Sequence, residues 1–471
     1  MTGGWRPWEV ADRHRELTRR YTQLRGLGDG STPQQRGTQL NHLLADVLRA
    51  YEIQTRVSQP TNLGEIDVAF RLGDTRIVLE AKWTRNPIDF GPVSLLATRT
   101  RQRLEGTIGV FASMAGYTAP ALDQVSRSGE RVRVVLFDSE HVEALIGGLA
   151  SPDELIGAAL GEASVTGRTH VGVAELLASH DRPAEPPLGF GPPERYDQPL
   201  VIHAAEELAA EIVLHCPEQI RGIAVKADGR LLVTLLAGMA EVDLEAQSAR
   251  WVQGPTRMDR NPHVDPAGQV WVLRGAAVAR LDGNRLRVVA GGFGGASTLF
   301  AGPGGTPWVL DRSGAAVGAY DSGAQLVRVA DQLGDEERWA LRLPAGAARN
   351  AAALGADRFF VLGSGQSARV DLGDLASEEW VETPVANPQG LTAVDGGRLL
   401  AVGDKTGVTL VEIDAASGDS ADLMRLGLSG SVSEIARSGP DLYVRSQAPV
   451  GQEAVPVVLQ ISHKRTPSGR Q

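Results

Sequence analysis

The chain has 471 residues, 42% hydrophobic and 22% charged, a globular composition too long for one ordinary core, so two domains are expected. No stretch approaches the roughly 18 apolar residues of a membrane helix, the start Met-Thr-Gly-Gly-Trp-Arg-Pro-Trp lacks a signal-peptide core, and the lone Cys216 excludes a disulfide framework or a cysteine zinc cluster. The net charge of −10 is uneven: residues 1–103 carry 16 Lys/Arg against 11 Asp/Glu, and residues 181–471 carry 27 against 36, so nucleic acid would be met by the N-terminal region.

Taken in order, residues 5–27 read as a helix made basic by Arg13, Arg15, Arg19, Arg20 and Arg25, either a solvated face or an arm for a nucleic-acid backbone. A Gly/Ser loop ends at Pro33, which suits a helix start. The helix 34–51 places Leu40, Leu43, Leu44, Val47 and Leu48 at core spacing. Its polar neighbours Gln39, Asn41 and His42 could look toward the hairpin that follows, with His42 read as a surface or structural residue rather than a ligand.

Strands follow at about 52–58, 64–72 and 75–83. Gly73-Asp74 suits a two-residue hairpin turn. If it is one, residues whose numbers sum to 147 face each other, and Asp67 stands opposite Glu80. Cross-strand Cβ atoms lie roughly 4.5–5.5 Å apart, so two carboxylates there repel unless something positive sits between them. Lys82 projects from the same face as Glu80. A divalent cation would relieve the repulsion, and the ammonium could orient a water. The plainer alternative is an edge hairpin with solvated charges, Glu65 opposite Lys82 and Arg76 nearby.

A helix near 92–105 carries Arg99, Arg101 and Arg103 on it or at its end, as phosphate contacts. A strand at 107–113, a helix at 118–128, a strand at 132–137 and helices near 140–147, 151–161 and 173–179 complete a mixed sheet flanked by helices on both faces. Residues 181–199 hold six prolines and read as a stiff linker. The expected division is therefore 1–180, a linker at 181–199, and a second domain at 200–465.

Beyond the linker a single pattern recurs: a short strand, a Gly/Asp turn and a second apolar strand. It appears at residues 222–233, 263–272, 299–309, 352–361, 390–401 and 432–444, roughly every 36–53 residues. This is the period of a four-stranded propeller blade, and the stretch resembles a six-bladed β-propeller of the NHL or gluconolactonase-like kind. Some such relatives are calcium hydrolases, and Asn261, Asp265, Asn387 and Asp395 lie near blade starts where such a site would be. An ordinary turn role is the simpler account of them, and a binding surface is the default expectation.

Asp67 followed by Glu80-Ala81-Lys82, with Arg36-Gly37 opening a helix, Glu80-Ala81-Lys82-Trp83, the strand Gly109–Ser113 and Gly116-Tyr117, resembles the PD-(D/E)xK restriction-endonuclease-like fold in its type IV, Mrr-like branch, over about residues 30–160. The resemblance implies a Mg²⁺- or Mn²⁺-dependent DNA endonuclease of the restriction and defence type. Asp67, Glu80 and Lys82 would be catalytic, and Asp67, Glu80 and the Ala81 carbonyl would bind metal. Arg36, Arg99, Arg101 and Arg103 would touch DNA. Where the branch carries a helix Glu this chain has Asn41, a further candidate ligand that brings no charge. The alternative is a catalytically impaired, DNA-binding adaptor whose propeller carries the interaction function. The expectation is a cytoplasmic protein that meets DNA through its N-terminal domain and a protein or small ligand through its propeller, with a homodimer among the options. DNA against RNA stays open.

Overall fold

The computed structural model describes residues 7–26, 32–59, 66–128, 133–178, 183–205, 207–252, 262–283, 285–294, 297–312, 323–344, 348–373, 379–383, 387–394, 397–404, 408–428, 434–450 and 452–464. Two compact units emerge. One holds Met1–Ala178 with Arg274–Gly295 and Ala330–Glu336; the other holds Ser179–Leu273, Ala296–Val329 and Glu337–Gln471.

In the first unit, α1 (Pro7–Gly26) and α2 (Pro33–Ala50) precede a five-stranded sheet. Thr32 starts α2 with a capping box: its hydroxyl accepts from the Gln35 N–H at 3.2 Å, and the Gln35 side chain accepts from the Thr32 N–H at 3.0 Å. Strands β1 (Thr55–Gln59), β2 (Ile66–Leu72) and β3 (Thr75–Lys82) run antiparallel. Helix α3 (Phe90–Arg101), β4 (Thr107–Ser113), α4 (Ala119–Ser128) and β5 (Val134–Asp138) follow, with β3, β4 and β5 parallel. Then come α5 (Ser139–Gly147), α6 (Pro152–Thr166) and α7 (Val173–Leu176).

The hairpin has the expected register: Val68 faces Leu79 and Leu72 faces Thr75, across a turn whose Gly73 sits at φ +52°. It is not an edge pair, because β1 borders β2 and β4 borders β3. Helix α2 packs over β1, β2 and β3. On the other face α3 and α4 close a core of Val78, Val93, Leu96, Phe111, Val125 and Leu136. Covered on both faces, β3 buries Ile77, Val78, Leu79, Glu80 and Ala81 in succession.

The arginines of α1 are spent locally. Arg19 pairs with Glu16, Arg20 with Asp46 of α2, Arg25 with Asp335, and Arg13 donates to the Ala50 carbonyl. Gln39 and His42 border a groove with α1 beside Arg20 and Leu24, away from the hairpin.

A six-bladed propeller follows, each recurring strand–turn–strand unit being the inner hairpin of one blade; the outer strands of its second blade, Ala277–Asp282 and Arg285–Gly291, belong to the stretch Arg274–Gly295 grouped with the first unit. The last blade is completed from upstream: β8 (Leu208–His215) pairs antiparallel with the strand Glu453–His463. Ahead of it, β6 (Gly189–Phe190) pairs with β8, and β7 (Val201–Ala204) joins the outer edge of the fifth blade. Some of the proline-rich stretch is thus built into the propeller. Leu188 and Phe190 pack on the core around Leu214 and Ile223, where the buried Cys216 behaves as a small hydrophobe and reaches the Pro187 carbonyl at 3.2 Å. No helix among the described residues is long and apolar enough to cross a membrane.

Candidate active site

The end of the sheet where β3, β4 and β5 terminate gathers the hairpin's charged groups. Asp67 accepts a hydrogen bond from the Ala81 N–H at 3.2 Å and another from the Asn41 side chain. Burial pushes the Asp67 carboxyl above its ordinary value; Lys82 opposes that, and the Glu80 charge adds to it. Glu80, 7% exposed, has its two oxygens on different cations: Oε1 lies 3.1 Å from Lys82 Nζ and Oε2 lies 3.2 Å from Arg99 Nη1. Lys82 is more open than Glu80, with 42% of its side chain exposed against 10%.

Asn41 is the residue that decides how this site can be filled. It is 7% exposed, its amide donates to Asp67, and its Oδ1 is buried without a hydrogen-bond partner. An orphaned buried acceptor beside an under-compensated carboxylate is unfavourable until a cation or a donor arrives. The donor set is all oxygen and hard, which fits Mg²⁺ or Mn²⁺. The reading of solvated edge charges is corrected here, since Glu80 is buried in an interior strand; Glu65 lies outside the described residues.

The remaining residues named from sequence divide. Arg99 reaches the site, but as the ion-pair partner of Glu80. Arg103 lies just beyond α3 and turns back onto the Arg99 carbonyl. Arg101 is exposed and bonds Thr98 Oγ1 at 3.3 Å. Arg36 lies 5.8 Å from the centre of the Trp83 ring, which stacks on Tyr21. In the propeller, Asn261 and Asp395 lie outside the described residues. Asp265 organises its own turn, accepting from the N–H groups of Ala267 and Gln269 and from Trp271 Nε1. The first strands of all six blades enclose a cavity of about 320 Å³ with His263, Asn350 and Arg437 on its wall, and none of its described lining residues carries a carboxylate.

A second constellation at the same sheet end was missed from sequence. Asp138 ends β5, His141 follows one helical turn later, and His170 arrives from beyond α6. Asp-x-x-His at a strand–helix junction hints at the first pair, but nothing in the spacing brings in His170.

Residues 34–146 match the family model of the restriction endonuclease domain Mrr_cat. No curated protein matches the chain. Among solved structures, a gluconolactonase from Xanthomonas campestris is 15% identical with a TM-score of 0.43, covering 60% of this chain and 99% of its own. Virginiamycin B lyase from Staphylococcus aureus is 12% identical with a TM-score of 0.39, covering 56% and 94%. The calcium-binding protein regucalcin from Agrobacterium tumefaciens is 12% identical with a TM-score of 0.38, covering 58% and 98%. No activity passes to this chain from likeness at that level. Over residues 34–146 the chain thus matches the restriction endonuclease family Mrr_cat, and its later strands form a six-bladed β-propeller.

Proposed function

We propose that the α/β unit is a divalent-metal-dependent DNA endonuclease and that the propeller recruits or senses a protein or small ligand. The observation that carries this is the convergence of Asp67, Glu80 and the orphaned Asn41 Oδ1 beside Lys82. Asp67, Glu80 and Asn41 Oδ1 would hold Mg²⁺ or Mn²⁺, with the Ala81 carbonyl as a further ligand. Such an ion, when bound, supplies charge neutralisation at the scissile phosphate and a more acidic water. Lys82, on the open side of Glu80, would orient that water or face the developing phosphorane charge. The Ala81 N–H fixes one Asp67 oxygen, so the carboxylate arrives at the reaction already oriented. Arg36, Arg101 and Arg103 would meet the DNA backbone. Restriction of foreign DNA in the cytoplasm is the setting this reading implies.

The second reading, an impaired nuclease acting as a DNA-binding adaptor, has its own support. Asn41 brings no charge, and Glu80 is already held by two cations. Plasmid cleavage with Mg²⁺ or Mn²⁺, beside Lys82→Ala, separates the two. Cleavage by the parent that the variant loses supports the nuclease. DNA binding without cleavage at any metal concentration supports the adaptor.

A further inference from the structure

The Asp138 cluster takes no part in the chemistry proposed for Asp67 and Glu80. Lys82 pairs in register with Ser113, and Ser113 with Asp138, so the cluster lies two strands away along the sheet end. At ordinary strand spacing that is about 10 Å. The backbone fixes all three residues. Asp138 is the N-cap of α5, its Oδ1 accepting from the Glu140 N–H at 3.0 Å. His141 lies in the first turn and is fully buried. His170 is delivered by a segment tied along β5, where the Leu136 N–H donates to the Thr169 carbonyl at 2.8 Å.

The hydrogen bonding of His141 selects which nitrogen faces inward. Nε2 lies 2.9 Å from the Val171 carbonyl, an acceptor, so Nε2 carries a proton. In the neutral ring Nδ1 then has the lone pair, and it points at Asp138 Oδ1 only 2.8 Å away, with the Asp138 N–H at 3.2 Å as its donor. Two acceptors so close need a shared positive species, either a second ring proton or a metal ion. A proton would satisfy that contact and leave His170 as an ordinary N–H donor to the carboxylate. Yet His170 Nε2 converges on the other oxygen of the same carboxylate at 3.3 Å, and the three donor atoms lie within 4.8 Å of one another. A ligating histidine whose other N–H is held by a backbone carbonyl is the usual outer arrangement of a metal site.

We infer that Asp138, His141 and His170 bind a zinc-class divalent transition metal, a site separate from the Asp67–Glu80 centre. Two imidazoles and one carboxylate suit Zn²⁺, Co²⁺ or Fe²⁺ rather than Mg²⁺, and three ligands leave a position for water. Tetrahedral bonds of about 2.0–2.1 Å place donors roughly 3.4 Å apart, so His170 closes by on the order of 1 Å. Phe137 stacks on His141 at 4.6 Å and Tyr117 meets His170 edge-on at 5.7 Å, which shields the site. Entry is from the side where Asp138 and His170 keep 14% and 27% of their side chains exposed. The charges facing it are Glu140 and Arg285. Arg285 lies 3.7 Å from Asp138 Oδ2, is anchored by Glu140 at 3.2 Å, and is 65% exposed, so it can swing outward. A bound ion would tie β5 and α5 to the segment before α7.

The test is Co²⁺ titration of the full, tag-free, EDTA-stripped chain, read by visible absorption and by metal content after desalting. One equivalent of Co²⁺ with strong d–d bands, displaced by Zn²⁺ and unchanged in Asp67→Asn, is expected. His170→Ala should weaken binding at least tenfold, and Asp138→Asn should abolish the bands. Because Asp138 is also a helix cap, partly exposed His170 carries the test if Asp138→Asn fails to fold. Absence of Co²⁺ binding, or bands that survive His170→Ala unchanged, overturns the inference and leaves an imidazolium–carboxylate cap.

Discussion

Asp67 and Asp138 occupy the same end of one sheet, and both are partly buried, yet their surroundings drive them in opposite directions. For Asp67, burial dominates, the nearby Glu80 charge adds to it, and the carboxyl is pushed up. For Asp138, burial works the same way, but hydrogen bonds from His141 and His170 outweigh it and hold the carboxyl well below the usual range. Burial alone therefore does not set the state of a carboxylate; its partners do. Asp138 is met by two imidazoles of the protein itself, whereas Asp67 is left wanting positive charge from outside.

The largest expected break in this contrast is functional. Asp67→Asn or Lys82→Ala should lower divalent-dependent plasmid cleavage at least about a hundredfold, near 2.7 kcal/mol of transition-state stabilisation. Either variant cutting at the parent rate would sink the assigned centre. Asp67→Asn should not destabilise the metal-free fold. A raised carboxyl favours folding below the unfolded value of about 3.9 and loses that contribution as pH rises through its folded value, so at neutral pH the ionised group is a cost that Asn removes.

Asp138→Asn should do the reverse, in metal-free buffer. Asn caps a helix about as well as Asp, so what is lost is the charged bonding to the histidines, about 1–3 kcal/mol. A depressed carboxyl contributes stability above about pH 3.9 that disappears as pH falls through its folded value. Urea melts on the acid side should therefore show a steeper loss in the parent than in the variant. Parallel pH profiles for the two would contradict the opposite shifts.

Asn41→Glu should sharpen the contrast further. A carboxylate beside Asp67 adds repulsion and removes the donated hydrogen bond, so the metal-free midpoint should drop while Mn²⁺ affinity rises by about tenfold, one charge-assisted ligand's worth. Electron paramagnetic resonance of free Mn²⁺ would read the second effect, and unchanged affinity would remove Asn41 from the coordination sphere. The smallest effect belongs to Arg99→Gln. Freeing one Glu80 oxygen should tighten Mn²⁺ by about threefold to tenfold, the scale of a partly exposed ion pair. Weaker binding would instead show that Arg99 helps to hold the site together.

The features of this molecule legible in sequence are those written in local geometry. Gly73-Asp74 set the hairpin register, and with it the approach of Asp67 to Glu80, because a two-residue turn leaves the pairing no freedom. The six repeated hairpins announced their blades because each is a local strand–turn–strand unit. Arg99 on Glu80 was not legible: a helix side chain reaching over a sheet depends on how the two pack, which spacing along the chain does not encode. His170 on Asp138 fails for the same reason, across two intervening helices. The role of β8 was hidden as well, since an apolar strand gives no sign of which distant strand it will pair with.

That last strand has a consequence for how the protein is made. The strand Leu208–His215 finds its partner in Glu453–His463, at the opposite end of the propeller sequence. During synthesis it must wait, with an open hydrogen-bonding edge, until nearly all the blades have emerged. The ring closes in one late, long-range step of the kind that slows folding and exposes chains to aggregation. β6 covers only the other edge of β8, where Gly189 and Phe190 pair with His215 and Leu214, so the edge that awaits Glu453–His463 stays open in the interval.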